Sequence, residues 1–193
     1  MWNKVKVYPW VGSQYEKPEI FPDKTLILGE SNYTSEENFD SNLVISCVVD
    51  HIGKNEDPNF SRFATKTRRV IFGRNTTVSS KLFWENVAFY NFVQYLVGSV
   101  SKERPTEKMW HESVQAFSEI INTLKPKRML VLGLENWKNL LEHINHTKEG
   151  KYMATFDVDG YRIIAGYIIH PSYGGGFSYE EWHPVASEIL LKT

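Results

Sequence analysis

The sequence predicts a three-layer α/β/α sandwich with a central, mainly parallel sheet, formed as one domain over residues 1–193. Three observations predict it. Short apolar runs, "TLIL" at 25–28 and "RMLVLG" at 128–133, have the composition of strands buried on both faces. Between such runs lie segments with apolar residues at helical spacing, and strands alternating with helices give a sheet covered on both sides. No Pro-, Gly- or Ser-rich linker divides the chain, and its 193 residues stay below the roughly 250–300 at which single cores split.

The elements follow in order. Residues 1–24, rich in proline and aromatics, read as an ordered, irregular lead-in, and Thr25 to Leu28 as a short buried strand. "TSEENF" carries a helix start, with Thr34 or Ser35 as cap and Glu36 and Glu37 at the positive end. "SNLVISCVVDHIG" is apolar at helical spacing and stops at Gly53. Beyond the polar loop "KNEDPN", helices are expected from Phe60 to Phe72 and from Ser79 or Ser80 to Glu85 or Asn86. "VAFYNFV" (87–93) is β-branched and aromatic, hence a strand. The helix from Thr106 to Lys125 has Thr106 as cap, Pro126 beyond its end, and one stripe of Met109, Trp110, Val114, Phe117, Ile120, Ile121 and Leu124. A strand at 128–133 and the helix "LENWKNLLEHI" come next. "MATFDVDGYRII" reads as a hairpin turning at Asp159-Gly160, "AGYIIHPS" as a last strand, and Tyr179 to Leu191 as a closing helix.

Composition narrows the class. Hydrophobic residues make up 41% and charged residues 23%, which fits a packed core and not a disordered chain. No apolar run approaches the ~18–20 residues of a membrane span. The opening "MWNKVKVYPWVGS" lacks the apolar stretch of a signal peptide. Cys47 is the one cysteine, so no internal disulfide can form, and a cytoplasmic location is expected. The net charge of −1 and a pI of about 6.6 lack the global signature of a nucleic-acid binder. Any phosphate contact must be local, and "KTRRVIFGR" offers Lys66, Arg68, Arg69 and Arg74.

Right-handed crossovers put the carboxyl ends of parallel strands on one edge, where ligands bind in open α/β sheets. Three polar groups fall there. "LILGESNYT" ends a strand in Gly29, Glu30, Ser31, Asn32 and Tyr33; "VAFYNFV" carries Asn91 near its end; "YIIHPS" ends in His170, Pro171 and Ser172, followed by Tyr173.

In this order, "LILGESNY", "VAFYNFV" and "YIIHPS" resemble the motifs of the uracil-DNA glycosylase superfamily, over most of residues 25–193. "KPKRMLVLG" resembles its third strand, and the pairing of "GSQYE" with "GESNY" resembles a marginal, uncharacterised bacterial branch. The resemblance implies the superfamily's α/β/α fold and a role in recognising, and possibly excising, a flipped or free base, as in DNA repair. It implies Glu30 and His170 as the catalytic pair, at the sugar and the departing base respectively. Gly29, Ser31, Asn32, Tyr33, Asn91, Pro171, Ser172 and Tyr173 would then contact the base. Ser31 stands where the best-known branch has its water-orienting aspartate, and Tyr33 where that branch has the tyrosine that excludes thymine. The implied partner is DNA or a nucleotide; no cofactor, metal or membrane is implied.

Two other readings stay open. Gly29-Glu30-Ser31 with Glu180-x-x-His183 imitates small esterases that use a strand-end serine nucleophile. A non-catalytic module binding a nucleotide or base would need the same pocket. His143 and His146, three apart on an expected helix, lack a third ligand nearby.

Overall fold

A computed structural model describes residues 2–33, 45, 49, 62–98, 103–173 and 175–192. The helix start at Thr34 or Ser35, Cys47, most of the helix ending at Gly53, and the start at Phe60 lie outside the described residues. The strands are β1 (Trp10–Val11), β2 (Thr25–Gly29), β3 (Asn32–Tyr33), β4 (Val87–Asn91), β5 (Leu96–Gly98), β6 (Arg128–Leu132), β7 (His146–Lys148), β8 (Met153–Val158) and β9 (Tyr161–Ile168). The helices are α1 (Arg62–Phe72), α2 (Ser80–Glu85), α3 (Glu107–Leu124), α4 (Leu134–His143) and α5 (Tyr179–Leu191). Local chemistry sets their limits. Ser79, Thr106 and Ser178 cap α2, α3 and α5 by accepting the N–H three residues on. Lys125 ends α3 in the left-handed region at φ 50°. Asp159 and Gly160, at φ 51° and 82°, form the tight turn between β8 and β9.

The main sheet runs β1-β4-β2-β6-β9-β8-β7. Its middle four strands, β4, β2, β6 and β9, are parallel. β1 at one edge and β8 and β7 at the other pair antiparallel, so the sheet is mixed, with a parallel centre. β3 and β5 form a separate parallel pair.

Alternation along the strands splits the core in two. Leu26, Leu28, Ala88, Tyr90, Met129 and Val131 face α3 and α4 through Trp110, Phe117, Ile120, Ile121, Trp137 and Leu140. Ile27, Phe89, Leu130, Leu132 and Ile168 face α1, α2 and α5 through Val70, Ile71, Phe83, Trp84, Trp182 and Ile189. Helices thus flank the central sheet on both faces, a generic α/β/α arrangement.

Several expectations change in detail. The strand expected over 87–93 ends at Asn91. The hairpin arm and the separate last strand are one strand, β9, which pairs with β8 from Tyr161 to Gly166 and with β6 from Ile164 to Ile168. His143 closes α4 while His146 lies in β7, so the two do not share a helix.

Candidate functional site

β2 has β4 on one side and β6 on the other. The chain leaves β2 for β4, then crosses back to β6, and such a reversal opens a crevice beyond the carboxyl ends of the strands. Glu30 to Asn32 and Gly133 border that crevice, and His170 follows β9 on the same edge.

Gly29 lies in register with Asn91 on β4. A Cβ on Gly29 would collide with the Asn91 side chain, so any other residue there would push the Asn91 amide from its place. Asn91 Nδ2 donates to Asn32 Oδ1 at 2.7 Å and to the Ser31 carbonyl at 3.3 Å. Its amide protons therefore hold the loop after β2, and Asn91 is itself buried. Asn32 is buried as well, and its Nδ2 has no hydrogen-bond partner among the described residues. From behind, Asn136 at the start of α4 donates to the Gly29 carbonyl at 2.9 Å, fixing the helix to the end of β2.

The Glu30 side chain is 12% exposed and its Oε2 accepts from Arg104 Nη2 at 2.7 Å. Burial raises the Glu30 pKa; Arg104 opposes this, and Glu135 adds to it. Ser31 Oγ lies 2.8 Å from the Tyr33 hydroxyl, which donates to the Glu103 carbonyl at 3.0 Å. The segment carrying Arg104 is thus tied to the end of β2 at two adjacent points.

His170 is the best-defined group of the site. The Ser172 backbone N–H donates to Nδ1 at 3.2 Å, which makes Nδ1 an acceptor. The neutral ring must then carry its proton on Nε2. Phe63 of α1 stacks on the ring at 5.6 Å between centroids, and Lys66 Nζ donates to the Pro171 carbonyl at 2.9 Å. Burial, and then the charges of Arg104 and Lys66, lower the His170 pKa from 6.5 to about 4. At neutral pH, His170 is an uncharged donor through Nε2. Arg104 links the two halves: it bonds Glu30 and acts on His170. Gly133, at φ 103°, brings β6 past this ring, with the His170 Cβ 3.7 Å from where its own Cβ would stand.

The other expected residues divide. Pro171 is buried; Ser172 and Tyr173 are exposed, Tyr173 at 55%. The basic run does not act as one surface. Arg68 is buried, with Nη1 donating to the Val78 carbonyl at 2.6 Å, which turns it away from any solvent-borne phosphate. Lys66 faces the His170 loop, while Arg69 and Arg74 gather at Tyr179. The Ser31–His183 pairing needed by an esterase is not made: Ser31 bonds Tyr33, and His183 Nδ1 lies 2.9 Å from the Val70 carbonyl.

Sequence reasoning missed Arg104, Phe63 and Asn136. Arg104 lies in the polar run "SKERPTEK", where no periodicity marks it. Asn136 carried one usable signal, a polar residue on the inward face of a helix.

Among the described residues no group of three His, Cys, Asp or Glu side chains could hold a metal ion, and no helix is long and apolar enough to cross a membrane. Two shallow concavities lie away from the strand ends. One, of about 350 Å³, is lined by Asn145, His146, Thr147, Thr155, Asp157 and Arg162, and one of about 150 Å³ lies beside Tyr152 and Val185. The first is polar and open, without the apolar walls that hold a base, and the convergent titratable groups at the strand ends are the stronger candidate. No protein-family model matches the chain, and no curated protein is similar to it.

Proposed function

We propose that this is a glycosylase-like protein that recognises a flipped or free nucleobase, uracil or another deaminated base, and hydrolyses its N-glycosidic bond. The observation that carries the reading is His170, held neutral with its proton on Nε2, next to a guanidinium that also grips Glu30. Breaking a base–sugar bond leaves positive charge on the sugar and the bonding electron pair on the base. A neutral imidazole donates a hydrogen bond to the developing base oxyanion without surrendering a proton. The Glu30 carboxylate faces the sugar cation and accepts a proton from the attacking water, whose oxygen bonds to the anomeric carbon. Arg104 favours the ionised form of Glu30 against its burial. Asn91 supports the site by holding the loop that carries Glu30, and Tyr173, exposed on the loop after His170, would stack on the base.

The test is incubation with oligonucleotides bearing uracil, hypoxanthine or xanthine, followed by alkaline cleavage at abasic sites. Cleavage is expected for at least one of them. Glu30→Gln and His170→Ala should each lower the rate by about 100–1,000-fold while base binding is kept, because both contacts strengthen only in the transition state. One observation favours a second reading. The carboxylate is already neutralised by Arg104, as in a recognition site that never turns over. Binding without cleavage, preserved or tightened in Glu30→Gln, would establish that non-catalytic reading.

A further inference from the structure

We propose that Lys66 and Arg104 together form an anion subsite beside His170, which takes the phosphate of a nucleotide ligand. This deepens the base-recognition reading and rests on it. The two cations come from distant segments, α1 and the approach to α3: Lys66 Nζ bonds the Pro171 carbonyl next to His170, and Arg104 bonds Glu30 just past the end of β2 on the same sheet edge. Lys66 spends one ammonium proton on the Pro171 carbonyl; among the described residues no carboxylate pairs with it. Arg104 uses Nη2 alone toward Glu30, and its side chain is 55% exposed. A guanidinium has five N–H donors in a planar fork, so an anion can join Arg104 without displacing Glu30. The Glu30 carboxylate already occupies one side of that fork in the geometry that suits a phosphate oxygen.

Phosphate is favoured over a carboxylate ligand because its oxygens can engage an ammonium and a guanidinium from different directions at once.

Isothermal titration with deoxyuridine, deoxyuridine 5′-monophosphate and inorganic phosphate tests the subsite separately from base recognition. The monophosphate is expected to bind at least about tenfold more tightly than the nucleoside. Lys66→Gln and Arg104→Gln should each weaken the monophosphate more than the nucleoside and so remove most of that advantage, while Arg74→Gln, at Tyr179, should keep it. Both altered side chains reach solvent, so the fold is expected to survive, as circular dichroism would check. Inorganic phosphate binding that needs Lys66 and Arg104, without nucleoside binding, keeps the subsite and rejects base recognition. Equal affinity for nucleoside and monophosphate rejects the subsite and keeps base recognition. An advantage insensitive to Lys66 and Arg104 also rejects the subsite, and binding of none of the three rejects both.

Discussion

At His170 the site and the stability of the fold respond to the same proton. The unfolded chain takes up that proton near pH 6.5, and the folded chain only near pH 4, because burial, Arg104 and Lys66 oppose a charged ring. Between these values the unfolded state binds more protons. Stability from this group is therefore fully present above pH 6.5 and is lost as the pH falls through about 4. Melting temperatures measured from pH 7 to pH 4 should fall more steeply in the wild type than in His170→Gln, which has nothing to protonate. Parallel curves would mean that the ring is not held neutral, and the donor role would go with it. His170 was legible as a strand-end candidate because it follows an apolar run on the sheet's carboxyl edge. Its tautomer was not, since that depends on the Ser172 N–H, which only the folded loop aims at Nδ1.

At the scale of elements, α5 lies on β9 through Gly166. A methyl group there would stand 2.7 Å from the Tyr152 carbonyl and would collide with the Ile189 side chain. Gly166→Ala should cost about 1–3 kcal/mol by overpacking. For a protein of this size that is a drop of roughly 2–4 °C in Tm per kcal/mol. Ile189→Val in the same chain should return part of the loss, and a thermal melt of the three variants checks both statements. The boundary expected between a hairpin and a last strand falls next to this glycine, whereas Gly166 lies inside an unbroken β9 under a helix. The long helix α3 was legible because it carries a full apolar stripe. Pairs as short as β1, β3 and β5 were not, because two or three residues hold no period and the pairing comes from distant partners. Arg104 escaped for a related reason: its partner, Glu30, is 74 residues away.

For the whole molecule, each middle strand serves two cores. Leu26 and Leu28 point to one side and Ile27 to the other, so neither face can come apart without exposing the strand that the second face needs. Denaturant unfolding followed by tryptophan fluorescence and by far-ultraviolet circular dichroism should therefore superimpose. Trp84 reports from one core, and Trp110 and Trp137 from the other. An early fluorescence phase with the circular dichroism unchanged would show that one face loosens alone. The layered architecture was legible because alternation of strand and helix is a property of the chain. The antiparallel edges were less so, since edge strands are recruited by whatever segment reaches them.

The lead-in before β2 has a consequence for anyone handling the protein. Glu119 Oε1 accepts the N–H of Asn3 at 2.7 Å, and Glu119 Oε2 accepts those of Lys4 and Val5 at 2.6 and 3.3 Å. Gln94 Oε1 accepts from Lys6 and Val7, and Gln94 Nε2 donates in turn to the Asn91 carbonyl at 3.1 Å. The first residues of the chain thus form one end of a polar relay whose other end is the asparagine behind Glu30. A preparation nicked by a protease near Lys6 would keep its sheet and run as folded material on a sizing column, yet its strand-end loop would have lost a brace. Intact mass, more than homogeneity of size, is what certifies a sample for assay.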